Sequence, residues 1–282
     1  MSEARLADEE RGAPLLAQLG RRTLVMGVLN VTPDSFSDGG LFASHDAALS
    51  HAAELETDGA DILDIGGEST RPGHVPVSAE EEQARVIPAI EALAPRLREP
   101  ISIDTYKAST ARRALAAGAR IVNDVWGLQR EPEIAEVAAE FGAPVIVMHN
   151  RETVDASLDV MDEMRRFFDR SLAIARRAGI PEHNIILDPG IGFGKSWEQH
   201  LEALRRLPEL RALGFPVLVG VSRKSVLGRV HNASVPPRER LFGSIAAHVL
   251  AGTLGADIVR VHDVRQHVEA MQVVDAVMRR AR

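Results

Sequence analysis

The stretch Asp61–Gly73 reads DILDIGGESTRPG and joins a short apolar strand to a polar loop. An apolar run without alternation is typical of a strand buried on both faces of a parallel sheet. The run stops at Gly66-Gly67, and a polar segment from Glu68 to Pro72 follows. In such sheets, ligand chemistry lies on the loop after the carboxyl end of a strand. The stretch therefore predicts one β/α unit whose loop carries functional residues.

Seven further apolar runs, each followed by a helical pattern, repeat this unit along the chain. The runs are TLVMGVLN, ISIDT, IVND, PVIVMH, NIILDP, PVLVG and DIVRVH. Helices are predicted over 47–57, 78–93 with Ser78 as N-cap, 108–117, 132–141, 158–178, 198–207, 237–254 and 264–278. Eight such units within about 250 residues favour an α/β fold of the (β/α)8 TIM-barrel type. An open doubly wound sheet is the alternative.

The composition gives no sign of a second domain. Residues 21–282 are predicted to form a single barrel domain, preceded by a polar arm over residues 1–20. The net charge of -7 argues against nucleic-acid and anionic-membrane partners, and the absence of cysteine excludes disulfides and thiolate chemistry. No run of about 18 apolar residues occurs, and the N-terminus is polar and acidic. A cytoplasmic location is therefore expected by default.

Polar residues follow the apolar part of all eight predicted strands. Each residue alone is explained as the N-cap of the next helix. Together, at one end of a barrel, they predict a site for a polar, anionic ligand. They are Asn30, Asp64, Asp104, Asn123 with Asp124, Met148 with His149, Asp188, Ser222 to Lys224, and Arg260 with His262 and Asp263.

The first two loops add candidate ligand-binding residues. Asn30 and Asp38 carry hard oxygen donors suited to Mg2+. Phe36, on a polar loop, suggests a lid over an aromatic substrate, and the Arg71 fork suits a pyrophosphate or a carboxylate. A solvated connection is the alternative for the first loop.

Histidines and lysines divide into structural and functional candidates. Arg260 and His262 lie two residues apart, so strand alternation puts them on one face and favours anion binding. Only three of the 33 basic Lys and Arg residues are lysines, which makes these three candidates for positions that require a compact ammonium. They are Lys107, Lys195 and Lys224. The histidines interpreted as core residues are His51, His183, His200 and His248.

The loop DPGIGFGKS resembles a nucleotide-binding loop but does not match one. A P-loop ending in Gly194-Lys195-Ser196 would need glycine at Pro189. The dinucleotide fingerprint would need glycine at Lys195. Both nucleotide interpretations are disfavoured.

Seven motifs occur in series between Thr23 and about Val264: MGVLNVTPDSFSDGG, DIGGESTRPG, SIDT, VND, LDPGIGFGK, GVSRKS and RVHDV. Together they resemble the successive motifs of the dihydropteroate synthase family of pterin-binding barrels. Several motifs in order are more specific than any one of them. One departure is Met148-His149-Asn150, where the family's Met-His-Met is expected, and it bears on the apolar wall against the pterin ring.

The resemblance implies a transferase of folate biosynthesis and a sulfonamide target. This family condenses 6-hydroxymethyl-7,8-dihydropterin pyrophosphate with p-aminobenzoate to give 7,8-dihydropteroate and pyrophosphate. Mg2+ is the implied cofactor, and a homodimer is the implied assembly.

The resemblance also assigns roles to individual residues. The implied catalytic residues are Asp104, Asp188, Lys224 and Arg71. The implied pterin-binding residues are Asp104, Asn123, Asp188, Lys224, Met148 and Phe193. Pyrophosphate is assigned to Asn30, Arg71, Arg260 and His262, and the metal to Asn30 and Asp38. For p-aminobenzoate the implied residues are Phe36, Thr70, Pro72, Phe193, Ser222 and Lys224.

Departure of pyrophosphate leaves positive charge on the pterin methylene, which Asp104 and Asp188 would stabilise electrostatically. The arylamine is neutral at pH 7, so no strong general base is required. Both loops would close to form the p-aminobenzoate pocket, which implies that the pyrophosphate substrate binds first. On this interpretation the loop that ends the stretch Asp61–Gly73 is a mobile lid, and the pterin is held deeper.

Three alternatives stay open at this stage. A methyltetrahydrofolate:corrinoid methyltransferase shares the Asp/Asn pocket but has no use for an STRP loop or a pyrophosphate clamp. A Schiff-base aldolase using Lys224 is more distant. A non-catalytic pterin-binding paralogue is expected to have lost residues of loop one or two.

Overall fold

The computed structural model describes residues 17–31, 40–69, 75–230 and 235–279. Residues 1–16 of the predicted arm lie outside this part of the chain, so the domain bounds stay a prediction. Among the described residues, no helix is both long and apolar enough to cross a membrane.

Eight parallel strands form the sheet, as predicted. They are β1 (Leu24–Asn30), β2 (Ile62–Gly66), β3 (Ile101–Asp104), β4 (Ile121–Asp124), β5 (Val145–Met148), β6 (Ile185–Asp188), β7 (Leu218–Val219) and β8 (Ile258–Val261). The strand order is β6-β5-β4-β3-β2-β1-β8-β7. A parallel bridge between Leu187 and Val217 joins β6 to β7 and closes the ring. The (β/α)8 barrel is therefore confirmed over the open sheet.

Helices connect the strands on the outside of the barrel. They are α1 (Gly40–Thr57), α2 (Ala79–Leu93), α3 (Ala108–Ala117), α4 (Glu133–Phe141), α5 (Val160–Ala178), α6 (Trp197–Arg205), α7 (Leu207–Arg211), α8 (Ser225–Val230), α9 (Leu241–Thr253) and α10 (Val264–Met278). Short 3-10 turns cover Glu182–Asn184 and Pro237–Glu239.

Local sequence signals account for most of these helix ends. The Ser78 side chain accepts from the amide of Glu81, as the predicted N-cap requires. Gly142 and Gly179 end α4 and α5 in left-handed conformations that glycine adopts without strain. The helix predicted over 237–254 is wrong at its start, because the chain makes a 3-10 turn first and α9 begins only at Leu241.

The core has two layers because strand side chains alternate between the two faces of the sheet. One layer fills the space between strands and helices and contains side chains such as Leu63, Ile103 and Phe168. The other layer plugs the barrel interior at its amino-terminal end. It consists of Leu24, Met26, Ile62, Ile121, Ile146, Ile186, Leu218 and Ile258.

The strand alternation also fixes what lies above this apolar plug. The next inward-facing position on each strand is two residues closer to the carboxyl end. On β2, β4, β6 and β8 that step leads from the plug isoleucines to Asp64, Asn123, Asp188 and Arg260. A polar layer therefore sits directly on an apolar one, at the end of the barrel where ligands bind.

Candidate active site

The strand register aligns three of the expected site residues, Asn30, Asp104 and Asn123, around the mouth of the barrel. Asn30 pairs with Gly66, Gly66 with Asp104, and Asp104 with Asn123. A Cβ built on Gly66 would lie 3.7 Å from both Asn30 Oδ1 and Asp104 Oδ2. The glycine that ends the opening strand thus leaves a gap between a carboxamide and a carboxylate.

Arg260 joins two buried carboxylates below this gap. Its Nε donates to Asp64 Oδ2 at 2.6 Å, and its Nη2 donates to Asp104 Oδ2 at 2.8 Å. Asn123 Nδ2 also donates to Asp64 Oδ2, at 3.1 Å. Asp64 is fully buried and is the common acceptor of this network. The sequence marked Asp64 as one polar strand residue among many and gave it no role in the site.

Asp104 combines a shifted pKa with an unused acceptor. Burial raises its pKa to about 7, although the Arg260 guanidinium acts in the opposite direction. Its Oδ1 is buried and has no hydrogen-bond partner among the described residues. A buried acceptor without a donor is unfavourable, so a ligand that donates to Asp104 Oδ1 would gain by satisfying it.

Asp188 and Lys224 form the opposite side of the mouth. Asp188 Oδ1 accepts from the amide of Gly190 at 2.7 Å. Burial raises the pKa of Asp188, while Lys224 acts to lower it. Burial in turn lowers the pKa of Lys224 to about 8, and Asp188 partly opposes that shift. A Cβ on Gly220 would lie 3.5 Å from the Cβ of Arg260 and 3.9 Å from Lys224 Nζ, so the two cations flank one glycine.

The loop that resembles a nucleotide-binding loop is held by its own lysine. Lys195 is buried, and its Nζ donates to the carbonyls of Gly190 at 3.0 Å, Phe193 at 3.1 Å and His149 at 3.5 Å. Gly190 has a φ of 64°, and a Cβ there would lie 1.9 Å from the His149 carbonyl oxygen. The Lys195 ammonium binds backbone carbonyls of its own loop and of His149, directly after β5, which agrees with rejecting the nucleotide-binding interpretation of this loop.

An apolar cluster lies beside the polar layer. Tyr106, Val125 and Met148 are buried, and Trp126 and Phe193 pack against them. Met148 pairs with Asp188 in the strand register, so the cluster meets the carboxylate. Lys224 Nζ lies 4.6 Å from the centroid of the Phe193 ring, which places Phe193 between the cluster and the cation.

Ser222 and His262 meet where the loops after β7 and β8 approach each other. The Ser222 hydroxyl accepts from the amide of His262 at 3.2 Å and lies 3.1 Å from its Nδ1. Arg223 has a φ of 59° and pairs with Asp263. These contacts place Ser222, which the resemblance assigns to p-aminobenzoate, next to His262, which it assigns to pyrophosphate.

Several predicted site residues lie outside the described part of the chain. They belong to the first two loops and are Phe36, Asp38, Thr70, Arg71 and Pro72. Their proposed roles rest on the sequence and on the family resemblance. Within the described ranges, no group of three or more His, Asp or Glu side chains is placed to hold a metal ion. The Asn30 carboxamide beside the Gly66 gap still fits Mg2+, which accepts few protein ligands and completes its shell with phosphate oxygens and water.

The histidine interpretation was right for two residues and wrong for two. His200 and His248 are buried, and their ring nitrogens accept from the amides of Gly192 and Val221. His183 is exposed in a 3-10 turn, and the His51 side chain is 43% exposed beside Glu54. A single histidine on an amphipathic helix or turn gives no local signal for which face it occupies.

The structure adds ion-pair partners to the prediction that the three lysines occupy positions requiring a compact ammonium. Lys107 and Lys195 are buried, and Lys224 is half-buried in the site. The Lys107 ammonium binds Glu68 and Glu82, two residues that the sequence did not single out as its partners. The rarity of lysine was the only local signal that could have found this ion-pair network.

Comparison with known proteins identifies the family. Residues 26–262 match the family described as pterin binding enzyme. The dihydropteroate synthase of Bacillus subtilis is 51% identical over 257 residues, covering 91% of this chain and 89% of the relative. That of Escherichia coli is 48% identical over 260 residues, covering 90% and 91%.

Solved structures agree with these sequence relatives. The dihydropteroate synthase from Clostridium difficile, solved in the presence of pteroic acid, has a TM-score of 0.90 and 50% identity, covering 93% of this chain and 99% of that chain. The enzyme from Xanthomonas albilineans with 4-aminobenzoic acid has a TM-score of 0.87 and 46% identity, covering 92% and 94%. The chain therefore belongs to the dihydropteroate synthases, within the family of pterin-binding enzymes.

Proposed function

We propose that this chain binds 6-hydroxymethyl-7,8-dihydropterin pyrophosphate in the barrel mouth and transfers its dihydropterin-methyl group to p-aminobenzoate. As a dihydropteroate synthase, it is a transferase of folate biosynthesis. The observation that carries the substrate proposal is the unpaired, buried Asp104 Oδ1 beside Asn123 and an apolar cluster. A pterin has a polar edge of N–H donors and ring acceptors on a flat apolar ring, and it would satisfy both features.

The proposed pterin site uses both sides of the polar layer. Asp104, Asn123 and Asp188 would read the polar edge, with Lys224 beside them. Met148 and Phe193 would contact the ring face from the apolar cluster. Asn150, the departure from the family motif, does not belong to that cluster: its Nδ2 donates to the Val125 carbonyl at 3.0 Å. Asn150 therefore contacts the apolar cluster through the backbone of Val125.

The transfer step requires charge stabilisation more than proton abstraction. The amine nitrogen of p-aminobenzoate would form a C–N bond to the pterin methylene as the C–O bond to pyrophosphate breaks, and the amine proton would pass to solvent. Asp104 and Asp188 would stabilise the positive charge that develops on the methylene. Arg260, His262 and Arg71 would bind the departing pyrophosphate.

Metal binding is proposed from the donors and the leaving group. Asn30 and Asp38 would hold Mg2+, which when bound neutralises charge on pyrophosphate oxygens. Arg260 binds Asp64 and Asp104 through two of its three nitrogens. Its contact with pyrophosphate would therefore use the remaining nitrogen or require rearrangement.

A pyrophosphate-release assay tests the function. With both substrates and Mg2+, we expect turnover that chelation of the metal suppresses. Arg71→Ala should lower kcat/KM by at least about tenfold, mainly through the KM of the pterin substrate, because one charge-assisted fork is lost. The control is Arg265→Ala, which removes an arginine 63% exposed beside Asp58 on the outer helix α10 and should change neither constant. No turnover in the parent protein would favour a non-catalytic pterin-binding protein.

The order of substrate binding gives a second test. Phe193, Ser222 and Lys224 supply one side of the proposed p-aminobenzoate pocket, and Phe36, Thr70 and Pro72 would supply the other. We therefore expect calorimetry to detect p-aminobenzoate binding that is at least about tenfold tighter in the presence of pyrophosphate, because the first ligand orders the second site. Equal affinity with and without pyrophosphate would contradict ordered binding.

We also propose a homodimer formed through the last two helices. Helices α9 and α10 pack against each other and expose large apolar side chains. They are Phe242 (83% exposed), Leu250 (47%), Val273 (65%), Val277 (71%) and Met278 (52%). Exposed large apolar side chains on two neighbouring helices favour a protein contact, and an isologous pair is the commonest arrangement. The cytoplasmic location stays a prediction.

Sedimentation equilibrium tests the dimer. The parent chain should sediment as a dimer, and Phe242→Asp should shift it towards the monomer because a charge would be buried at the contact. Val154→Asp is the control, since Val154 is 58% exposed on the loop after β5, away from α9 and α10. A monomeric parent chain, or a dimer unaffected by Phe242→Asp, would refute the proposal that α9 and α10 form a dimer contact.

A further inference from the structure

Lys107 lies at the start of α3 in a buried group of charges outside the proposed substrate contacts. Its side chain is 8% exposed, and its Nζ lies 2.5 Å from Glu68 Oε2 and 3.2 Å from Glu82 Oε2. Glu82 Oε2 also accepts from the Thr105 hydroxyl at 3.1 Å. Two carboxylates, from the end of β2 and from α2, therefore converge on one ammonium.

This arrangement opposes ordinary helix chemistry. Lys107 is the N-cap residue of α3 and makes no side-chain capping bond. A cation at a helix N-terminus is unfavourable because the unpaired N–H groups there carry partial positive charge. Burying three charged groups also costs desolvation energy that apolar residues of similar size would avoid. Such local conflicts in a stable fold are expected where a site must be positioned.

The group of charges reaches the site through Tyr106. Glu68 uses its other oxygen, Oε1, to accept from the Tyr106 hydroxyl at 3.2 Å. Lys107 Nζ lies 4.6 Å from the Tyr106 ring centroid. The Tyr106 ring belongs to the apolar cluster that contains Met148 and Val125. The position of that ring therefore depends on Glu68, and the position of Glu68 depends on Lys107.

The same contacts fix the end of β2. Glu68 follows Gly66 and Gly67, and the Gly67 carbonyl accepts from Arg85 Nη1 at 2.7 Å. Gly66 pairs with Asp104, and Tyr106 lies two residues after Asp104. The Lys107–Glu68 pair thus ties together the two chain segments that border Asp104.

We infer that Lys107 is a positioning residue: through Glu68 it holds the Tyr106 ring and the carboxyl end of β2 on either side of Asp104, and so shapes the pterin pocket. This inference rests on the proposed function, because it assumes that the pocket binds the pterin substrate. A small displacement of groups that border a pocket is enough to reduce binding and turnover strongly.

Equilibrium binding and kinetics of three variants test the inference. Lys107→Met removes the charge, Glu68→Gln keeps the side-chain length, and Lys107→Arg keeps a cation. We expect Lys107→Met and Glu68→Gln to raise the Kd and the KM of dihydropterin pyrophosphate by at least about tenfold, with Lys107→Arg closer to the parent. The KM of p-aminobenzoate at saturating pterin substrate should change less, because Ser222 and Lys224 are untouched.

A control variant separates a loss of pocket positioning from a general loss of folding stability. Asp61→Asn changes the residue that precedes β2, at the end of the strand opposite to Glu68. Asp61 binds Arg22 there and accepts from the Val25 amide at 2.8 Å. Asp61→Asn should lower the melting temperature without changing the Kd of the pterin substrate. If Lys107→Met does not fold, Glu68→Gln and Lys107→Arg carry the test.

The outcomes are distinct for the inference and the proposed function. A parent that binds the pterin substrate without turnover refutes the proposed function, and the Kd values of the variants still test Lys107. Variants that melt earlier but keep the parent Kd and KM assign Lys107 a purely structural role and overturn the inference. A parent that does not bind the pterin substrate overturns both.

Discussion

Asp104→Asn is expected to lower kcat/KM by at least about a hundredfold and to raise the melting temperature at pH 8. The loss follows from removing a negative charge beside the proposed position of the reacting methylene and from replacing one acceptor oxygen with an NH2 donor. The gain follows from burial, which raises the pKa of Asp104 to about 7 and makes its ionised form costly in the folded state. Asparagine has nearly the shape of the neutral acid and avoids that cost.

The stability that Asp104→Asn gains over the parent is expected to increase with pH. Between the ordinary carboxyl pKa near 4 and the folded value of about 7, the folded parent binds more protons than the unfolded chain. Parent stability contributed by Asp104 therefore falls as the pH rises through this window. The variant should exceed the parent by about 1 to 3 kcal/mol at pH 8 and by less at pH 5.

Thermal melts at both pH values and steady-state kinetics measure the two effects of Asp104→Asn. Asp162→Asn is the control, because Asp162 is 58% exposed beside Arg165 and should alter neither property appreciably. A variant that loses stability at pH 8, or one that keeps parent activity, would contradict the assigned burial and role of Asp104.

Arg260→Met is expected to destabilise the chain by about 3 to 5 kcal/mol at pH 8. The Arg260 guanidinium is the cation between Asp64 and Asp104, and methionine would leave two buried carboxylates facing each other. The penalty should shrink at pH 5, because Asp104 can then take up a proton and remove one negative charge. Activity should also fall sharply, since Arg260 borders the proposed pterin and pyrophosphate sites.

Denaturant titrations at pH 8 and pH 5 measure this penalty. Arg265→Met removes an exposed arginine paired with Asp58 at 2.8 Å and should cost less than about 1 kcal/mol at either pH. If Arg260→Met were no more costly than Arg265→Met at pH 8, the buried network would not stabilise the barrel.

Much of the fold was predictable because it depends on local patterns. Eight apolar runs alternating with helical segments determine a parallel barrel, and glycines such as Gly142 and Gly179 end helices for local conformational reasons. The start of α9 was not predictable in this way. The Arg240 side chain donates to the carbonyls of Val235 and Arg223, and the second of these contacts joins residues distant in sequence.

The placement of the strand-end residues was predictable, and the contacts between them were less so. Alternation along the strands brought Asp104, Asn123 and Asp188 to the carboxyl end of the barrel, as their places in the sequence implied. The partners of Lys107 were not predictable, because Glu68 is 39 residues and Glu82 is 25 residues away along the chain. Pairing over such separations is set by the barrel, and no local pattern reports it.

Arg260 also has partners in the structure that the sequence did not predict. The sequence put Arg260 and His262 on one strand face and suggested a substrate anion as their partner, which stays a prediction. In the structure the partners of Arg260 are Asp64 and Asp104, 196 and 156 residues away. The presence of an arginine predicts an anionic partner, but the sequence does not identify which carboxylates the fold places beside it.

The most direct test of the proposed chemistry compares the two products of a single reaction mixture. The chain is incubated with dihydropterin pyrophosphate, p-aminobenzoate and Mg2+, and 7,8-dihydropteroate and pyrophosphate are quantified together. Equal amounts of both are expected, with neither formed when p-aminobenzoate is omitted. Pyrophosphate released at the same rate without p-aminobenzoate, or no dihydropteroate at all, would contradict the account.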